Sequence, residues 1–300
     1  MSPFVLFVWI LTCAIWSTVW LFIKIGVRDV APVTFAVFRL ATAIAVLVPL
    51  VLVLRMPVPG ARRDWLVIGS TGIVLLGINY GLLNWGIQYI SSGLTAVLQA
   101  LTPAFGFVFA HVLLHDEKMT PIKGAALLLG IVGVGVIFAD QLEIAGHRAL
   151  WGSIAVVAGS ACVAGAYVYM RRHGSHLPPA VVTAGQMLAA IGPLAMYAAL
   201  VEGNPLRVTW TRASVVSVLY LALLGSVAGA WLNYWLLKRI GATRLLVMGL
   251  VEPLVAVLLG VIFLSETMTG WTLAGGICIL VGVAMVLDMF HRSPASTGAG

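Results

Sequence analysis

Charged side chains make up only 9% of this 300-residue chain, whereas 61% of it is hydrophobic. A soluble domain carries about 25% charged residues, so this scarcity of charge excludes a water-facing surface over most of the length. Cysteine is nearly absent: Cys13, Cys162 and Cys278 are far apart, odd in number, and each inside an apolar run. No disulfide framework or metal-ligand spacing follows from three such thiols; they read as small buried hydrophobes. The chain also lacks paired aspartates of the kind that hold metal-bound diphosphate. It has no His-Glu-x-x-His helix, no G-x-S-x-G turn and no P-loop. Each of those is the signature of a membrane-embedded or ATP-driven catalyst. The expectation is therefore a protein that is not an enzyme, with no catalytic residue, cofactor or metal.

What fills the chain instead is ten apolar stretches, at 4–23, 33–54, 65–85, 93–114, 121–139, 150–170, 180–200, 213–237, 242–264 and 270–290. A hydrocarbon core of ~30 Å needs about 20 helical residues at ~1.5 Å rise each, and these runs supply them. They are apolar on nearly every face, unlike the alternating strands of a membrane barrel, so the fold class read here is an all-α integral membrane protein. Met1-Ser2-Pro3 carries no basic residue, so the first run reads as a span and not a signal peptide.

The net charge of +7 is distributed unevenly. With a cytoplasmic N-terminus, eleven basic residues fall inside: Arg55, Arg62, Arg63, Lys118, Lys123, Arg171, Arg172, Lys238, Arg239, Arg244 and Arg292. Five fall outside: Lys24, Arg28, Arg148, Arg207 and Arg212. That bias is the positive-inside rule. It places both termini in the cytoplasm and makes the lipid bilayer, not nucleic acid, the partner of the positive charge.

The two halves share landmarks. An offset of 150 aligns Leu101-Thr102-Pro103 with Val251-Glu252-Pro253, and an offset of 149 aligns Glu117 with Glu266 and Gly133 with Gly282. Earlier in each half, Pro32 matches Pro179, Lys24 matches Arg171 and Arg39 matches Gln186. Five spans per copy is odd, so the second copy enters the membrane from the opposite side. The organisation expected is a first repeat at 1–145, a second, inverted repeat at 146–292, and a disordered tail at 293–300. Inverted repeats enclose a substrate site near the midplane and alternate access by rocking.

Trp16-Ser17 through Lys24, Phe38-Arg39-Leu40, Pro103 running toward Glu117, and Glu252-Pro253 running through Gly260 to Glu266 and Gly275-Gly276 resemble the drug/metabolite transporter superfamily. The similarity is to its ten-helix EamA-type exporters and covers about residues 4–290. It implies a secondary exporter of small metabolites. Amino acids with large neutral or aromatic side chains are the leading substrate and cationic drugs the runner-up, with a membrane enzyme or channel the reading from another class. It implies a bacterial inner-membrane location and function as a monomer. The first repeat departs from the second by carrying Thr102 where the second has Glu252.

The candidate substrate-binding residues are the polar and aromatic groups inside the spans: Trp16, Trp20, Arg39, Tyr80, Asn84, Gln99, Tyr167, Gln186, Asn233 and Glu252. Glu252 suits a substrate ammonium, a coupled proton, or a hydrogen-bonded role at the Pro253 kink, because a charge at the bilayer centre must face protein or water. Arg39 suits a substrate carboxylate, a structural pairing with Glu252, or snorkelling to the surface. Trp9, Cys13, Trp16, Trp20 and Lys24 share one helical face, as do Tyr80, Asn84 and Gln88. The bland alternative for the polar stripes is helix packing. That is the reading for Gly130, Gly133, Gly135, Gly275, Gly276 and Gly282. Lys24 reads as an interfacial anchor, Glu117 and Glu266 as helix-end caps, and Trp65, Trp151, Trp210 and Trp271 as an aromatic belt.

Overall fold

The computed structural model describes residues 2–114, 121–204, 208–229, 231–232, 235–236, 239–240 and 248–292. Among them are ten apolar helices: α1 Pro3–Asp29, α2 Pro32–Val53, α3 Arg62–Gly86, α4 Ser92–Leu113, α5 Gly124–Asp140, α6 Gly146–His173, α7 Pro179–Glu202 and α8 Arg212–Ala228, with α9 Met248–Leu264 and α10 Gly270–Arg292. Six of the ten are long and apolar enough to cross a bilayer over their described residues alone. Each matches one of the runs read from sequence. The tail at 293–300, Glu117 and Asn233 lie outside the described residues.

Local chemistry sets the helix ends. Proline occupies the first turn of α1, α2 and α7, where its missing N–H has no intrahelical acceptor in any case. Between α5 and α6 helical geometry is broken only at Gly146, with φ 74° and ψ −168°. A side chain is strained there, so glycine turns the chain without a loop.

Helix α1 packs on α8 and α9, α2 on α7 and α8, α3 on α6 and α7, and α4 on α6 and α9. Helix α5 packs on α10. Exchanging each helix for the one five places along the chain maps this list onto itself. Lipid tails are as apolar as leucine, so these contacts depend on close packing and interhelical hydrogen bonds. Leu40, Ala43, Leu47, Met187 and Ala190 fill the α2–α7 seam. Leu98, Ile137, Val156 and Ile279 fill the seam among α4, α5, α6 and α10.

Small residues govern the closest approaches. A Cβ on Gly275 would stand 2.7 Å from the Gly133 carbonyl oxygen, and one on Gly282 would stand 2.7 Å from that of Ala126. Gly86 and Gly152 make the matching approach between α3 and α6, at 2.6 Å. Gly135 departs from the packing role read for it, since a Cβ there meets nothing within 4 Å. Gly275→Leu should therefore cost about 1–3 kcal/mol through overpacking, seen as a lower thermal midpoint in detergent. Gly135→Leu should leave that midpoint unchanged.

Candidate functional site

Two π-helical turns shape the middle of the bundle, Ile73–Ile78 within α3 and Leu221–Ala228 within α8. A π turn holds an extra residue and often marks a functional position in a helix. In α8 it lets the Ser226 hydroxyl donate to the Leu221 carbonyl, five residues back, at 3.0 Å. The same hydroxyl accepts from Arg39 Nη2 at 3.3 Å. In α3 the π turn ends immediately before Asn79 and Tyr80. The Arg39 guanidinium lies 4.7 Å from the centroid of the Tyr80 ring, within cation–π range. Arg39 of α2 is thus held between the two π turns, and only 6% of it is exposed. No ion pair joins it to Glu252 among the described residues, so the structural pairing considered for it is not made.

The other candidates divide by exposure. Trp16, Tyr80, Gln99 and Glu252 are partly buried within their helices. Tyr167 is 59% exposed between buried Ala166 and Val168, and its phenol lies within electrostatic reach of Tyr80. Glu252 lies within such reach of Cys13 across the α1–α9 seam. Gln99 Nε2 donates to Asn79 Oδ1 at 3.4 Å, and Gly159 of α6 leaves room for that pair. Trp16 packs its indole edge on Gly229, where a Cβ would stand 2.5 Å from Nε1. Gln186 and Asn84 are instead enclosed. Gln186 Nε2 donates to Thr71 Oγ1 at 3.0 Å, fastening α7 to α3. Asn84 is 1% exposed, and its Oδ1 has no hydrogen-bond partner among the described residues. Trp20 packs with the cluster of Ile23, Phe35 and Leu221, its Nε1 also without a described partner. Trp9 and Cys13, on the same stripe, pack against Leu236 and Met248.

The sequence profile of the EamA-like transporter family matches this chain twice, over residues 3–139 and 150–288. The chain belongs to that family. Its similarity extends to the uncharacterized transporter YoaV of Bacillus subtilis, 27% identical over 279 residues and covering 93% of this chain and 94% of that one. The uncharacterized inner membrane transporter YedA of Escherichia coli is 26% identical, covering 92% and 88%. A solved crystal structure superimposes with a TM-score of 0.64 at 20% identity, covering 98% of this chain and all of that one; that likeness is one of fold. This protein is a multi-pass membrane transporter.

At one end of this EamA-like bundle, side chains bind the termini of neighbouring helices. Helix α2 starts at Ala31, which gives no side-chain cap. The carboxylate of Glu202, at the end of α7, supplies one, accepting from Val33 N at 2.9 Å, Thr34 N at 2.7 Å and Thr34 Oγ1 at 2.8 Å. Glu266, just past α9, does the same for α4, accepting from Ser92 N and Ser92 Oγ at 2.8 Å each and from Gly93 N at 3.4 Å. Anions favour helix N-termini, where N–H groups lack partners. Lys24 shows the converse: its ammonium donates to the carbonyls of Ile87 at 2.5 Å and Ile90 at 2.6 Å. It therefore ties α1 to the end of α3 and is no free interfacial anchor. Thr211 donates to Asp29 at 2.6 Å, and Thr269 to Asp140 at 2.6 Å. Trp151 and Trp271 stand 58% and 70% exposed near the same end.

Asn79 and the Asn79–Gln99 contact escape a reading by helical spacing. The π turn before Asn79 shifts the phase by about 100°, the rotation of one residue. The stripe read from the sequence, Tyr80, Asn84 and Gln88, lies wholly beyond that turn and is one residue out of step with Asn79. No composition cue marks that turn.

Proposed function

We propose that this transporter is a secondary exporter of amino acids with large neutral or aromatic side chains. The observation that carries the reading is Glu252, partly buried and twelve residues before the end of α9, with no ion pair among the described residues. Aromatic groups stand elsewhere in the bundle: partly buried Trp16 on α1, which packs on α9, partly buried Tyr80 on α3 and exposed Tyr167 on α6. A carboxylate near the bilayer midplane suits a substrate ammonium, and aromatic walls suit a flat or bulky apolar side chain. Gln99, with Asn79, offers polar atoms to the remainder of the substrate.

The twofold family match, the π turn repeated in α3 and α8, and helix pairings that survive exchange of the halves all support two inverted repeats. Alternating access by rocking follows from that arrangement. The bias of basic residues assigns the Glu266 end to the exterior and the end carrying Met56, Arg62 and Arg171 to the cytoplasm. In that orientation both termini are cytoplasmic, and the membrane is a bacterial inner membrane. The protein works as a monomer.

The test is counterflow in proteoliposomes with labelled tryptophan, phenylalanine, methionine, threonine and one cationic dye. Saturable uptake of an aromatic amino acid, competed by its neighbours, is expected. Trp16→Ala should raise the half-saturating concentration several-fold more for tryptophan than for threonine. Uptake of the dye alone would replace amino-acid export with drug efflux.

A further inference from the structure

Arg39 is fully charged at every relevant pH, lies about two turns into α2 and is almost wholly buried. Its hydrogen bond and its ring contact are both with neutral groups, the Ser226 hydroxyl and the Tyr80 ring, and its Nε has no hydrogen-bond partner among the described residues. No described carboxylate lies within ion-pair distance of it. A buried guanidinium without a counter-charge carries a large desolvation cost, and one hydroxyl bond with one ring face offsets only a fraction of that. A planar fork with free donors matches a carboxylate.

Ser226 also lines a crevice of about 300 Å3 among α2, α7 and α8, walled by Leu47, Met56, Pro179, Thr183 and Trp231. The crevice has almost no other polar surface. Its volume lies at the lower edge of the range of about 300–1,000 Å3 typical of small-molecule sites. Met56 and Pro179 place its mouth at the end of the bundle opposite Glu266. Ser226 sets its inner wall within a single hydrogen bond of Arg39.

We propose that this crevice takes the apolar body of a substrate whose carboxylate is received by Arg39, with Ser226 holding the guanidinium in place. The ligand class is an organic monocarboxylate bearing one ring or a branched aliphatic group. The proposal deepens the amino-acid reading and rests on it for the transport step, but it makes the carboxylate, not the ammonium, the group read on this side. It also argues against cationic drugs, because an unpaired buried cation repels a second one.

The experiment measures calorimetric binding of 3-phenylpropionate and of phenylalaninamide to the purified protein in detergent, alongside phenylalanine counterflow. The first probe has the carboxylate without the ammonium, the second the reverse. 3-Phenylpropionate should bind at least tenfold more tightly than the amide, and Arg39→Gln should remove that preference while Arg39→Lys retains some of it. Thr183→Trp, which fills the crevice and leaves Arg39 in place, should weaken 3-phenylpropionate binding at least tenfold, so the proposal stays testable if Arg39→Gln does not fold. Equal binding of the two probes, or unchanged binding in Thr183→Trp, would overturn it even where counterflow succeeds. Arg39-dependent binding without amino-acid counterflow would uphold the crevice and sink the transport substrate instead.

Discussion

Replacing Glu252 with glutamine is expected to lower counterflow of a zwitterionic aromatic amino acid at least tenfold while the protein stays folded. Glu252 stands twelve residues before the end of α9 at Leu264, or about 18 Å along the helix axis. In a hydrocarbon core of ~30 Å that is close to the midplane. A charged carboxylate there costs about 2.5–3.5 kcal/mol even on insertion scales. Pro253 follows inside the same helix and leaves the Gly249 carbonyl without its usual i+4 donor, which adds a second polar atom at this depth. Glutamine keeps the size and the hydrogen bonding and removes only the charge. Losing one member of a buried pair costs about 3–5 kcal/mol. Tenfold corresponds to about 1.4 kcal/mol, so it is a conservative floor. Initial rates of phenylalanine exchange at saturating and subsaturating concentrations would read it. Wild-type kinetics in folded Glu252→Gln protein would remove Glu252 from the substrate site.

The helices were legible in the sequence because length and uniform apolarity suffice to specify a span, and starts such as Pro32 and Pro179 are local chemistry. The role of Glu266 as a cap was legible too, from its place at a loop edge. Residues whose meaning depends on a neighbour were not. Lys24 reads as an interfacial anchor until the end of α3 is seen beneath it, and Gln186 reads as a cavity amide until Thr71 is seen beside it. Trp9 and Cys13 share a helical face with Trp16, yet Leu232, Leu236 and Met248 cover that face at one end and leave Trp16 only partly buried further along. The π turns are the deeper obstacle, since Ile73–Ile78 and Leu221–Ala228 contain only residues that an α-helix accepts equally well. They decide where Tyr80 and Ser226 meet Arg39, and that cluster could not be assembled from spacing.

Removing the Glu266 carboxylate should open the Glu266 end. Four of the links described there, Glu202 to α2, Glu266 to α4, Thr211 to Asp29 and Thr269 to Asp140, join residues before position 146 to residues after it. If the halves rock against each other, each of these links must break for that end to open, whereas the Lys24 link stays within the first half and can persist. Glu266 is built to release as a unit. Ser265 turns the chain back with φ 53°, and Gly260 provides the space in which the carboxylate crosses α9 to reach Ser92. Hydrogen bonds to a charged group contribute about 1.5–3 kcal/mol each, so losing the set shifts a closed-to-open balance by at least tenfold, the equivalent of about 1.4 kcal/mol. Leu94 is a suitable reporter, being 1% exposed and on the wall of the cavity beside Glu266. In a Leu94→Cys background, Glu266→Ala should raise the rate of labelling by a membrane-impermeant thiol reagent about tenfold, with Glu266→Gln intermediate because an amide oxygen still accepts one bond. A labelling rate indifferent to both changes would reduce Glu266 to a local cap on α4 and place the barrier to opening elsewhere.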